Sequence, residues 1–184
     1  DCISDLEQFI HEDPGSLPIL IRAALVHVQF ETIHPFLDGN GRVGRLLITF
    51  LLCHAGILRE PLLYLSVYFK QNRDEYYRLL DIIRKEGDWE AWIMFFLEGV
   101  TCTADSAVAT ARRLVTLFDE DRKKIQTGGR RAGSALRVYD IFKTRPILNL
   151  REASQKTDLS YPATGTGMDL LVESGIAREL TGKR

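Results

Sequence analysis

Apolar residues recur at helical spacing through most of the 184-residue chain. Ile3, Leu6 and Ile10 fall on one face of a short helix over residues 3–11. Asp13-Pro14-Gly15 reads as a turn. Ser16 reads as the N-cap of a second helix reaching about Thr32, with Pro18 tolerated in its first turn. Periodicity stops from His34 to Gly41, which predicts a loop. A helix from about Val43 carries a nearly continuous apolar face, so it belongs to the core, and Gly56 is the expected residue just past its end. Residues 62–86 hold one or two more helices with Asn72 as a cap. Asp88 then caps a long helix through Trp89, Trp92, Phe95, Phe96, Ala107, Leu114 and Phe118, with both tryptophans expected in the core. No β alternation persists anywhere in 1–129, so this block is all-α.

The tail reads differently. Helix signals cover Leu136–Thr144, Leu150–Thr157 and Tyr161–Ser174 with tight joints, the pattern of a helix-turn-helix. Ala177 to Arg184 has the character of a first wing strand with no return strand after it. Charge sharpens the division. Residues 1–129 carry 14 Lys and Arg against 19 Asp and Glu, whereas 130–184 carry 10 against 6. The change coincides with the basic, glycine-rich segment Thr127-Gly-Gly-Arg-Arg-Ala-Gly133, which predicts an acidic domain over 1–127 and a basic one over 128–184.

Composition mainly excludes. With 45% hydrophobic and 27% charged residues, the chain is neither a disordered tail, a collagen-like repeat nor a coiled-coil rod. The longest apolar run, Leu46 to Cys53, is far short of the ~20 residues that span a bilayer, so no membrane partner is expected. Three scattered cysteines fit neither a disulfide framework nor a zinc site. With no visible signal peptide, they suggest a cytoplasmic setting.

The loop is where chemistry concentrates. Gly39, Asn40 and Gly41 permit positive φ and lead into a helix N-terminus, whose unpaired amides and dipole favour an anion. Arg42 and Arg45, three apart on the first turns, can reach the same phosphates. Asp38 is a hard oxygen ligand of the kind that holds Mg²⁺ together with substrate phosphates. His34 is placed to act as general base toward a hydroxyl. Phe36 is expected to turn inward and anchor the loop. Asp-Gly and Asn-Gly are also ordinary turn dipeptides, so a plain connector is the competing reading. His27, two turns before His34, reads as structural.

His34-Pro-Phe-x-Asp-Gly-Asn-Gly-Arg-x-x-Arg45 resembles the signature of the Fic family, HPFx(D/E)GNGRxxR, at every fixed position. Leu25–Ile33 and Tyr64–Val100 resemble the flanking helices of bacterial members, and the tail resembles the winged-helix domain that many of these carry. The resemblance implies an all-α helical core followed by a small winged helix-turn-helix domain with a truncated wing. It implies a protein adenylyltransferase that moves AMP from ATP to a Ser, Thr or Tyr hydroxyl of a target protein, using Mg²⁺ and releasing pyrophosphate. By the same resemblance His34 deprotonates the hydroxyl, Asp38 holds Mg²⁺, and the Gly39, Asn40 and Gly41 amides with the Asn40 side chain hold phosphate oxygens. Arg42 positions the phosphates and Arg45 meets the γ-phosphate. Tyr76 and Tyr77 resemble the aromatics on the adenine side, with ordinary helix packing as the alternative. The intact glycine after Asp38 favours AMP transfer over the phosphorylating branch of the family.

Two family features are not found: the β-hairpin flap that aligns the target, and an inhibitory (S/T)xxxE(G/N) motif. The expectation is therefore a fragment lacking its N-terminal part and the end of its wing, with a second copy as one way to complete the core. Three alternatives stay open. The chain is a DNA-binding regulator whose core senses nucleotide, or it transfers another phosphate-linked group, or it removes AMP. The DNA reading is weakened because Tyr161–Ser174 contains no Lys, Arg, Asn or Gln to read bases.

Overall fold

The computed structural model describes residues 1–12, 15 and 17–181. Among them the chain is helical and contains no strand. It divides into two compact units, Asp1–Thr110 and Ala111–Arg184.

The first unit is built from α1 (Cys2–His11), α2 (Ile19–Ile33), α3 (Asn40–His54), α4 (Leu65–Gln71), α5 (Arg73–Glu86) and the first part of α6 (Trp89–Gln126). The Asp1 carboxylate accepts from the Ile3 amide to start α1. The Arg22 guanidinium ties α1 to α2 by donating to the carbonyls of Phe9 and Glu12. α2 is the central helix. Ala23, Ala24, Val26, His27 and Val28 are all essentially without solvent contact. Such complete enclosure explains why α2 is apolar on nearly every side rather than along one stripe. α3 packs on it through Ile48 and Leu52, with Leu79, Trp92 and Phe96 closing the same core. The Trp92 indole N–H donates to the Ala24 carbonyl at 3.1 Å, so its one polar atom is satisfied inside the core. Trp89 differs from the expectation: it is partly exposed at the start of α6 and only Trp92 is core. The predicted turn residues Asp13 and Pro14 and the predicted cap Ser16 lie outside the described residues; Pro18 occupies the N-cap of α2. Asp88 does cap α6, accepting from the Ala91 amide.

α6 runs for 38 residues and is long and apolar enough, by length and composition alone, to cross a membrane. No long uninterrupted apolar run marks it in the sequence, because the apolar window within the helix is diluted by Ala, Thr and Gly and its ends are charged. Trp92, Phe95 and Phe96 within it are spent on the core of the first unit.

The second unit contains the last part of α6, a 3₁₀ turn at Gly129–Arg131, α7 (Ala132–Phe142), α8 (Leu150–Thr157) and α9 (Tyr161–Glu173). Ile125, Ala135, Val138, Tyr139, Leu170 and Leu171 form its core. The glycine-rich segment near residue 130 is therefore internal to this unit. Asn149 and Glu152 form a capping box on α8, and Ser160 caps α9. Only Asp158, with φ +54°, and the two residues after it separate these helices. No strand forms over 177–181, and the rest of the expected wing strand lies outside the described residues. Gly167 is where α9 crosses α7: a β-carbon there would lie 2.8 Å from the Ser134 carbonyl carbon and 2.9 Å from the Ala135 nitrogen. Both obstacles are backbone and cannot rotate aside. Gly167→Ala is expected to destabilise this unit by about 1–3 kcal/mol, read as a fall in its unfolding midpoint. An unchanged midpoint would mean that the helices do not cross this closely.

Candidate active site

The loop between α2 and α3 is shaped by three local devices. α2 ends on His34 itself, which takes the left-handed conformation (φ 52°, ψ 55°) while its amide donates to the Phe30 carbonyl. A non-glycine residue is uncommon there, and such strain is found where surrounding structure fixes a functional side chain. Gly39, with φ +84°, then turns the chain into α3 as its N-cap. Between the two, the Asn40 side chain clamps Phe36: Oδ1 accepts from the Phe36 amide at 2.9 Å and Nδ2 donates to its carbonyl at 2.6 Å. Asn40 is buried, at 2% exposure. Its side chain thus faces the loop backbone, and what it holds in the structure is the loop rather than a ligand.

The charged groups stand around this turn. Asp38 is exposed. Its Oδ1 accepts from the Gly39 amide at 2.7 Å, and its Oδ2 pairs with Arg42 at 3.2 Å. With both partners in solvent this ion pair is weak and easily exchanged. α3 starts at Asn40, three residues earlier than its apolar pattern indicates, so Asn40, Gly41 and Arg42 are its first turn and Arg45 its second. His34 is exposed. Phe36 is a correction. It is half exposed, touching the Phe30 ring from 6.2 Å without entering the core, and Leu37 beside it is fully exposed. Among the described residues no group of three or more His, Cys, Asp or Glu is arranged to hold a metal. The exposed Asp38 beside a helix N-terminus is the lone-carboxylate donor that suits Mg²⁺ only when ligand phosphates share it.

Tyr76 and Tyr77 separate. Tyr76 is 3% exposed and its hydroxyl lies 2.9 Å from His27 Nε2. Burial raises its pKa. A ring closed in this way has no face to offer a base, which corrects the adenine-side expectation for Tyr76. Tyr77 is exposed, packs edge-on against Tyr76, and carries the Arg73 guanidinium over its ring.

Behind the loop lie two buried polar groups, His27, expected to be structural, and Glu31, which the sequence did not single out. His27 is fully buried, stacked on Phe69 and Trp92 at 5.7 and 5.8 Å, and lies against the backbone of Gly44. Desolvation lowers its pKa to about 4, so it is neutral at pH 7. Glu31, one turn before His34, is 7% exposed. Desolvation raises its pKa, and the charges of Arg45, His34 and Arg84 oppose that rise. The signal available in the sequence was a lone carboxylate inside an apolar helix, which has to be satisfied by something other than water.

The helical domain thus presents a glycine-turned helix N-terminus between α2 and α3, with a histidine, an aspartate and two arginines on the same short stretch of chain. Residues 1–52 match the Fic/DOC family. The chain is 36% identical over 104 residues to the protein adenylyltransferase Fic of Drosophila grimshawi, covering 54% of this chain and 20% of that protein. It is 40% identical over 83 residues to the protein of the same name from Drosophila yakuba, covering 45% and 15%. The chain spans about a fifth of the length of the first of these relatives.

Proposed function

We propose that this chain carries the catalytic loop of a protein adenylyltransferase. The observation that carries the reading is the preformed turn His34–Arg45, in which base, carboxylate, amides and guanidiniums stand around one helix N-terminus. Its likeness to proteins named protein adenylyltransferase Fic supports the same reaction. ATP enters with its phosphates over the first turn of α3. Arg42 leaves Asp38 for the phosphates, which frees the carboxylate to hold Mg²⁺. The metal, when bound, neutralises phosphate charge. Arg45 meets the distal phosphates. His34 takes the proton of a Ser, Thr or Tyr hydroxyl, the oxygen bonds to the α-phosphorus, and the bond to pyrophosphate breaks with the electron pair leaving on pyrophosphate. Alignment and charge neutralisation are the main requirements of such chemistry.

Tyr77, exposed at the start of α5, is the aromatic left for the adenine side. The α7–α9 trio supports a helix-turn-helix, and the wing remains an inference from the resemblance to bacterial members. The three cysteines, all unpaired, accord with a cytoplasmic setting. A second copy and a DNA duplex remain partners to test by sizing and gel shift. The deciding experiment offers lysate proteins as acceptors with Mg²⁺ and ATP labelled on either the α- or the γ-phosphate. Covalent label from the α-position alone is expected. Label from the γ-position would replace the proposal with phosphoryl transfer.

A further inference from the structure

We propose that the second unit carries a groove for an extended peptide segment of a partner protein in which Lys or Arg alternates with an apolar residue. The groove lies wholly within residues 142–181 and has a volume of about 690 Å³, inside the range of roughly 300–1,000 Å³ that ligand sites occupy. One wall is a face of α9. Gly165, Met168 and Val172 recur there at helical spacing, with Asp169 and Glu173 in the neighbouring row. The chain before α8 contributes Ile147, and the chain after α9 contributes Glu179 and Leu180. Phe142 and Met168 also pack on the core of the unit, whereas Ile147, Val172 and Leu180 stand exposed. Large apolar side chains gathered around one hollow, rather than scattered singly, mark a binding surface.

Charge decides the occupant. Over the described residues 130–181 there are six Asp and Glu and eight Lys and Arg. Four of those six carboxylates, Glu152, Asp169, Glu173 and Glu179, line the groove, and among the eight cations only Arg178 does. A basic stretch of sequence thus folds into an acidic hollow. Glu173 also pairs with Arg131, but both partners are exposed and such a pair competes weakly with an arriving cation. A field of this sign attracts cations and opposes the phosphates of a nucleic acid on this face of α9. Spacing then sets the conformation. Asp169 and Glu173 are one turn apart, about 6 Å along the helix. Alternate residues of an extended chain lie on one side of it, about 6.6 Å apart. A segment running along α9 therefore brings two cationic side chains to the two carboxylates and turns the apolar residue between them toward Met168 and Val172.

Calorimetric titration of the whole chain with short synthetic peptides tests this. A peptide alternating lysine with leucine is expected to bind about tenfold more tightly than one alternating lysine with serine, and about tenfold more tightly than one alternating glutamate with leucine. Glu179→Lys and Leu180→Ser should each lower its affinity about tenfold. Both side chains are exposed and lie past the last helix, so the melting temperature should hold. Absence of binding by the lysine–leucine peptide overturns the inference. Equal binding of the lysine–serine peptide would reduce it to general charge attraction, and equal binding of the glutamate–leucine peptide would remove the role of the carboxylates. Unchanged affinity in either variant would put the peptide elsewhere on the chain. A short DNA duplex that binds and displaces the peptide would make the groove a nucleic-acid surface instead.

Discussion

Replacing His34 with alanine should lower AMP transfer by about a thousandfold while ATP affinity changes by less than about threefold. The two effects separate because His34 stands at the other end of the loop from the elements proposed to hold the phosphates. It caps the C-terminus of α2, whereas the amides and arginines belong to α3. A side chain that takes a proton in the transition state contributes to the barrier and little to ground-state binding, so the loss falls on kcat. Alanine also accepts the left-handed backbone at this position less readily than glycine, so His34→Gly is the matching control for strain. Initial rates with α-labelled ATP, beside nucleotide titrations, measure both quantities. Transfer that persists in both variants would remove His34 from the mechanism, and a parallel collapse of ATP binding would make it a loop-forming residue instead.

The first unit should lose about 3 kcal/mol of stability through His27 as the pH falls from 6.5 to 4. The sign follows from where protons bind. In the unfolded chain His27 takes a proton below its ordinary pKa of 6.5, whereas in the native core, held against Phe69 and Trp92, it resists until about pH 4. Between those values the unfolded state binds more protons, so lowering the pH favours unfolding. Above 6.5 the contribution is fully present. Glu31 acts in the opposite sense, because its raised pKa lets the native state take up a proton first. Denaturant melts of the chain and of His27→Gln at several pH values in this window isolate the histidine. The chain should be steeper by about 1.4 kcal/mol per pH unit. Parallel curves would show that the native imidazole is already charged.

Much of this was legible in the residues. The helices, the buried character of α2, and the loop with its His, Asp and arginines follow from periodicity and from turn and cap chemistry, which act over a few neighbours; α3, expected in the core, buries one face through Ile48, Leu51 and Leu52 and leaves Val43, Leu46 and Phe50 exposed. What was not legible depends on contacts across long stretches of sequence. Tyr76 looks like any tyrosine on an amphipathic helix until His27, 49 residues earlier, meets its hydroxyl. Trp89 and Trp92 are three apart and equally apolar, yet only one faces the Ala24 carbonyl. The family resemblance implies that the Asn40 side chain holds phosphate, and only the tight return of the loop shows that its amide is already engaged. Glu31 was passed over because charge alone does not reveal burial.

The Asn40 clamp has one more consequence. Its amide gives Phe36 the two hydrogen bonds that a neighbouring strand would give, and it does so from four residues away along the same chain. The curvature of the loop is therefore secured when the protein folds and does not await a visitor. A ligand arriving there meets a backbone already ordered, and the cost of ordering it is not subtracted from its affinity.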